Sequence, residues 1–216
     1  MGQPRLVREA FGRRFRNPIL LAAGTAGFGT ELDGVMDLRR VGGVITKSVS
    51  LEPRGGNPPP RVAEFHGGML NSVGLANPGV EHVCRVEVPD MVALLGDTAV
   101  IVSVVGFEMG EYAEVVGRLD AVDGIAAYEL NLSCPNTARG GIEFGAEPTS
   151  VSHIVSRVRA ATNRPVIAKL SPVVPDVVEI AVAAKEAGAD GIAVVNTIPG
   201  WLYDGMARTR LGAGHG

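Results

Sequence analysis

Asn131, Ser133, Cys134 and Asn136 fall within six consecutive residues, directly after an apolar run at 124–130. Both amides donate and accept hydrogen bonds, Ser133 adds a hydroxyl, and Cys134 adds a thiol able to act as base or nucleophile. Pro135 stiffens the exit. Burying such groups without partners is costly, so polar residues at the end of an apolar strand tend to line a site. Taken alone, the stretch also suits a small packed thiol beside ordinary turn residues. The pattern recurs along the chain. Lys47-Ser48 follows an apolar run at 43–46, Lys169 and Ser171 follow one at 165–168, and Asn196-Thr197 follow one at 191–195. A single lysine is an ordinary solvated residue, but one at a strand end beside a serine is placed to meet an anion. Lys47, Asn131, Lys169 and Asn196 together on one rim are harder to dismiss than any of them singly.

The elements that must position these groups read as alternating strands and helices. Residues 6–15 suit a small hairpin around Phe11-Gly12. The continuous apolar run 18–23 has the pattern of a strand buried on both faces, and runs into a glycine-rich loop at 24–29. A helix is expected over 30–40 with Thr30 as its N-cap, then the strand 43–46. The excursion 51–77 carries Val62, Phe65, Met69 and Leu70 and reads as an ordered lid or binding loop. Helices follow at 81–95, with Cys84 as core packing, and at 108–119, separated by a strand at 98–105. After the opening motif come a second glycine-rich loop at 139–145 and a helix through Ala161 capped by Thr149 or Ser150. A strand at 165–168, a helix at 176–187 closed by Gly188, and a strand at 191–195 complete the regular elements. Six apolar strands alternating with helices imply a parallel sheet with right-handed crossovers, the α/β barrel pattern, whose chemistry lies at the strands' C-terminal ends.

Composition fits that class. The 216 residues are 46% hydrophobic and 20% charged, enough for one sizeable core, and 29 glycines and 14 prolines imply many tight turns. A net charge of -3 without a basic run argues against nucleic-acid or membrane-surface binding. No stretch approaches the roughly 18 apolar residues of a membrane span, and the N-terminus lacks an apolar signal core. The two cysteines, Cys84 and Cys134, make neither a CxxC nor a zinc pattern, which suits a reduced, cytoplasmic setting without a metal. An eight-fold barrel typically needs about 250 residues and eight strands. Residues 1–216 are therefore expected to form a single (β/α) barrel domain truncated at its C-terminus, with about six βα units of a TIM barrel.

Several pieces, taken in order, carry a resemblance. They are Asn17-Pro18 with Ala22-Ala23-Gly24, Thr46-Lys47-Ser48, Leu51-Glu52-Pro53-Arg54 and Gly56-Asn57-Pro58 with Pro60-Arg61. They continue with residues 69–75 (Met-Leu-Asn-Ser-Val-Gly-Leu), residues 131–136 (Asn-Leu-Ser-Cys-Pro-Asn), Lys169-Leu170-Ser171-Pro172 and Val195-Asn196-Thr197. The series resembles the class 1 dihydroorotate dehydrogenases from near the start of the chain to its end. Gly140-Gly141 with Phe144-Gly145, and Leu170-Ser171-Pro172, resemble subclass 1B. That subclass pairs an FMN subunit with an iron-sulfur flavoprotein bearing FAD and [2Fe-2S], and passes electrons to NAD.

The resemblance implies oxidation of (S)-dihydroorotate to orotate in pyrimidine biosynthesis, by a homodimer of catalytic subunits with that electron-transfer partner. Cys134 falls on the family's base position, with hydride passing to FMN. Lys47 would meet the orotate carboxylate beside the flavin, and Asn71, Asn131, Asn136, Asn196 and Thr197 would bind substrate. Ser72, Val73, Gly74 and Leu75 would wrap it. Lys169 would lie by the flavin's N1/O2 edge, and Ala23, Lys47, Ser48, Ser103, Asn131 and Val195 would contact the flavin. Three positions depart from the pattern. Ala23 stands where Ser is frequent, Ser103 where Asn is, and Trp201 where a smaller residue is usual. The family's glycine loops for the FMN phosphate belong to its C-terminal part. The alternatives are a non-catalytic barrel remnant, a dihydropyrimidine dehydrogenase-like flavoenzyme, or Schiff-base chemistry at Lys169. Lys47, as a carboxylate partner, favours dihydroorotate.

Overall fold

The apolar runs pair edge to edge in the order in which they occur. The computed structural model of the chain describes residues 6–133, 135–136, 142–206, 208–213 and 216. A hairpin of β1 (Arg8–Ala10) and β2 (Arg13–Phe15) leads to β3 (Leu20–Leu21) and β4 (Gly43–Ile45). A second hairpin, β5 (Val62–Phe65) and β6 (Gly68–Asn71), lies in the long excursion. The helix α1 (Val80–His82) continues through a π-helical turn, Val83–Glu87, into α2 (Val88–Leu95). Then come β7 (Ala99–Val104), α3 (Glu111–Leu119), β8 (Ile125–Asn131) and the short antiparallel pair β9 (Pro135–Asn136) and β10 (Ile142–Glu143). The last elements are α4 (Pro148–Ala161), β11 (Val166–Lys169), α5 (Val177–Glu186) and β12 (Gly191–Ala193). β3, β4, β7, β8, β11 and β12 form one parallel sheet in that order. With the intervening helices it is an incomplete (β/α)8 TIM barrel, as the alternation of apolar strands and helices leads one to expect.

Side chains alternate across this sheet with period two, and the two faces bury different things. Outward, Val44, Val100, Val102, Tyr128, Leu130, Val166 and Ala168 pack under the helices, against Met91, Leu95, Val115, Leu119, Ile154 and Ile180. Inward, Ile45, Ile101, Ala127 and Ile167 form a smaller cluster with Phe11, Ala23 and Ala193. Phe11 sits at the turn of the first hairpin at φ 53, followed by Gly12 at φ 66. Its ring reaches the start of β12, where a Cβ on Gly191 would stand 2.9 Å from the Phe11 Cζ. The hairpin thus closes the N-terminal end of the barrel with an aromatic side chain. Two positions further along each central strand the inward residue changes character. Ile45 is succeeded by Lys47, Ile101 by Ser103, Ala127 by Glu129 and Ile167 by Lys169. The mouth of the barrel is polar because of that step.

Some local expectations need correction. Residues 18–23 are not a doubly buried strand: only Leu20–Leu21 pair, at the sheet edge, with Ile19 58% exposed. Residues 30–40 do not form a helix. They form two 3-10 turns, Thr30–Leu32 and Leu38–Arg40, separated by Gly34 at φ 77, and the first is capped by Gly29, not Thr30. The helix before β11 starts at Pro148 with Glu147 as N-cap, so neither Thr149 nor Ser150 caps it. Proline at the first helical position loses nothing there, since that N–H has no partner within the helix. Asp176 does cap its helix, accepting from the N–H groups of Val178 and Glu179. Cys84 is half-buried and packs against the outer core, with its thiol 3.7 Å from the Arg118 carbonyl.

Candidate active site at the strand ends

Four strand ends converge on one chain of hydrogen bonds. The Asn131 amide, at the end of β8, donates to the Ser48 hydroxyl beyond β4 (3.1 Å), and Ser48 shares a hydrogen bond with Ser103 on β7 (3.0 Å). From beyond β12, the Asn196 amide donates to the Asn131 side-chain oxygen (3.4 Å), which also accepts the Ser133 N–H (3.3 Å). Ser48, Ser103 and Asn131 are buried, whereas Asn196 is half-buried. Thr46, fully buried, accepts the Ser103 N–H (3.0 Å) and ties β4 to β7 just below. These are paired donors and acceptors held in fixed directions, the kind of surface that reads the edge of a planar heterocycle.

Asn131 is positioned through its backbone as well. Tyr112, completely buried on α3, donates its hydroxyl to the Asn131 carbonyl (2.9 Å), and its ring meets Phe144 edge-on at 6.1 Å. Tyr112→Phe should leave that buried carbonyl short of a partner and cost about 1–3 kcal/mol. Urea unfolding would measure it. A loss confined to a few tenths of a kcal/mol would show that the hydroxyl does not anchor the strand end.

Lys47 approaches from the other side. Its N–H donates to the Gly27 carbonyl (2.8 Å), its ammonium lies 3.2 Å from Glu31 and stands 4.8 Å from the centre of the Phe28 ring. Glu31 in turn accepts the Phe28 N–H (2.8 Å), so the glycine-rich loop, Glu31 and Lys47 form one clasp. Gly27 suits this turn because its φ of 58 is one that other residues adopt only with strain, and a Cβ there would push the Glu31 carboxylate aside. Partial burial pushes the Glu31 carboxyl up. Backbone N–H groups, that of Phe28 among them, and Lys47 outweigh it and bring the group below the usual carboxylate range. A depressed carboxyl contributes stability above its unfolded value and loses it as pH falls through the folded one. Thermal unfolding should show the wild type slightly more stable than Glu31→Gln near neutrality and that difference closing in acid; a difference independent of pH would contradict the depressed carboxyl.

The remaining expected residues are distributed around this centre. Ala23 belongs to the inner apolar cluster, and Lys169 is half-buried at the end of β11. Val195 and Thr197 are exposed beyond β12, with the Thr197 N–H bonded to its neighbour Asn196 (2.9 Å). Residues 71–75 are ordered by the excursion itself. The Ser72 N–H donates to Arg61, the Asn57 amide to the Ser72 hydroxyl (2.9 Å), and the Asn57 N–H to Val73 (3.0 Å). Gly74 at φ 74 and Leu75 at φ 58 turn the chain there. No hydrogen bond among the described residues joins this loop to the Asn131 network. The segment after β12 returns over the second hairpin, with Arg210 bonded to the Glu64 carbonyl (2.8 Å) and the Gly212 N–H to Pro60 (2.9 Å). Cys134, residues 137–141 with the start of the second glycine-rich loop, and the side chain of Asn136 lie outside the described residues. No cluster of His, Cys, Asp and Glu suited to a metal occurs among the described residues. No described helix is long and apolar enough to cross a membrane.

The sequence model of the family described as "Dihydroorotate dehydrogenase" matches residues 5–208. The chain belongs to the dihydroorotate dehydrogenase family. It is 49% identical over 200 residues to a protein of Desulforudis audaxviator named dihydroorotate dehydrogenase B (NAD(+)), catalytic subunit, covering 93% of this chain and 64% of that one. Proteins of the same name from Trichlorobacter lovleyi and Geobacter sulfurreducens are 43% and 44% identical over 202 and 204 residues. Each comparison covers 94% of this chain and 66% of the relative. The chain thus spans just under two thirds of the length of these dihydroorotate dehydrogenases.

Two residues of the site were not singled out from the sequence, Glu31 and Glu129. Glu129 was signalled by period two: a carboxylate on the same face as Ala127 must point into the barrel. Glu31 carries no comparable signal, because residues 30–40 suggest a regular helix and only the fold shows the 3-10 turn that aims it.

Proposed function

We propose that this chain carries the catalytic residues for FMN-dependent oxidation of (S)-dihydroorotate to orotate, as six βα units of a single barrel domain. The observation that carries the reading is the hydrogen-bonded series Ser103–Ser48–Asn131–Asn196, spanning strand ends in a dihydroorotate dehydrogenase chain. Its alternating donors and acceptors suit the imide and amide edges of a pyrimidine and of a flavin. Ala23, Lys47, Ser48, Ser103, Asn131, Lys169 and Val195 would hold the ring end of FMN. When bound, FMN supplies a hydride acceptor.

The chain's own groups do the rest. Cys134 removes the proton from C5 of the substrate. Lys47 holds the carboxylate, with its ammonium drawn from the Glu31 clasp towards the incoming anion. Asn71, Asn131, Asn136, Asn196 and Thr197 orient the ring amides, and Ser72, Val73, Gly74 and Leu75 cover them. Water exclusion by that loop would strengthen every charged contact beneath it. The relatives' name, catalytic subunit of an NAD(+) type, supports a partner subunit and NAD as acceptor. That the partner is an iron-sulfur flavoprotein with FAD and [2Fe-2S], and that the catalytic subunits form a cytoplasmic homodimer, is part of the same proposal.

The test is a visible absorbance spectrum of the purified chain soaked with FMN, without air, before and after dihydroorotate is added. A flavin spectrum that bleaches supports the reading. A bound flavin indifferent to dihydroorotate, or no flavin at all, overturns it for this chain.

A further inference from the structure

Glu129 is placed where a carboxylate is expensive. It sits on β8 with 3% of its surface exposed, and its Oε1 has no hydrogen-bond partner among the described residues. A buried polar atom left without a partner costs about as much as a lost hydrogen bond, and more when the group is charged. It therefore calls for an explanation that the proposed reaction does not supply.

The strand register identifies its neighbours. Across β7, Glu129 stands opposite Ser103, whose hydroxyl is engaged with Ser48. Across β11 it stands opposite Ile167, with Lys169 two residues further along on the same face. Such diagonal neighbours are within reach of long side chains. Of the charged groups on elements around it, Lys169 is the one whose field acts on Glu129. Burial pushes the carboxyl up, and the lysine's positive charge opposes that. Beyond β4, Lys47 is engaged with Glu31. β7 presents no titratable group to this face.

We propose that Glu129 is the positioning residue for Lys169: the two are diagonal neighbours on the inner face without a direct ion-pair contact, and the buried carboxylate acts through its field to keep the ammonium on the inner face of β11. A lysine at the end of a four-residue strand has a flexible stem and many rotamers. A counter-ion one layer below confines the ammonium to the mouth, where the electron-rich edge of a bound ring would meet it. The purpose rests on the flavin reading above. The pairing itself does not.

The experiment therefore uses the ligand-free chain. Its lysines are three, Lys47, Lys169 and Lys185. Acetylation by acetic anhydride, followed residue by residue by peptide mass spectrometry from pH 6 to 10, reports how free each amine is. In Glu129→Gln, Lys169 should react about tenfold faster at pH 7 than in the wild type, with Lys47 and Lys185 unchanged as internal references. Equal Lys169 profiles in the two proteins would overturn the pairing. If Glu129→Gln does not fold, the double variant Glu129→Gln/Lys169→Met tests the same point by rescue: a double variant that folds and unfolds cooperatively in urea supports the coupling, and one as unfolded as the single change refutes it. FMN titration of the same proteins separates the two readings. Faster Lys169 labelling with no flavin binding in the wild type would retain the pair and remove its purpose.

Discussion

Replacing Cys134 with serine is expected to lower dihydroorotate-dependent flavin reduction at pH 7 by about 100- to 10,000-fold, the usual contribution of a general base. A free thiol titrates near pH 8.5, and nearby cations or oriented dipoles lower it, so a thiolate is available close to neutrality. A serine hydroxyl ionises far less readily and would need a strongly alkaline solution to do the same work. The variant's rate should therefore climb with pH across the range where the wild type has already levelled. Flavin binding should be unaffected, because the groups proposed to hold the ring are Ser48, Asn131 and their neighbours. Stopped-flow reduction at several pH values would measure both features. Unchanged turnover at pH 7 would remove Cys134 from the role of base.

Lys47→Ala should act differently, weakening orotate binding by about 10- to 100-fold and slowing turnover with it. That is the effect of losing a charge-assisted hydrogen bond to a carboxylate. Stability should change little. The pair with Glu31 is partly solvent-exposed, with 34% of the lysine side chain and 47% of the glutamate accessible, and such pairs contribute about 0–1 kcal/mol. Glu31 would keep its hydrogen bond from the Phe28 N–H, so the glycine-rich loop should hold its course. Spectral titration of the FMN-loaded chain with orotate gives the affinity, and a thermal melt gives the stability. An unaltered affinity would contradict the anionic-site assignment. A large drop in melting temperature would mean that Lys47 is chiefly a structural clasp.

Much of this arrangement was legible from periodicity. Strands at 43–46, 98–105, 124–130 and 165–168 are apolar because both faces are covered, and these and the half-buried edge strand at 191–195 lie within a few residues of their expected positions. The strand ends could be read for the same reason: a polar residue immediately after such a run stands out. Residues 18–23 misled because an edge strand and a central strand share composition, and only the sheet shows that Leu20–Leu21 has a single neighbour. Residues 30–40 misled because Leu32, Val35 and Met36 have a helix-like spacing that Gly34 and Asp37 interrupt. Which polar residues would meet across the mouth depends on register between strands far apart in sequence. The contact between Asn131 and Ser48, 83 residues apart, is of that kind.

The step along the inner face, from Ile45, Ile101, Ala127 and Ile167 to Lys47, Ser103, Glu129 and Lys169, has a consequence for how such a protein can change. Folding depends on one residue of each strand and chemistry on the residue two places later, so the two draw on separate positions of the same short segments. Substitutions at the mouth can then redraw the pattern of charges and amides offered to a ring while the apolar layer below goes on closing the barrel. Glu129 and Lys169 would be the exception. Coupled through their charges, they can be replaced only together, and that pair would be the slowest part of the mouth to diverge.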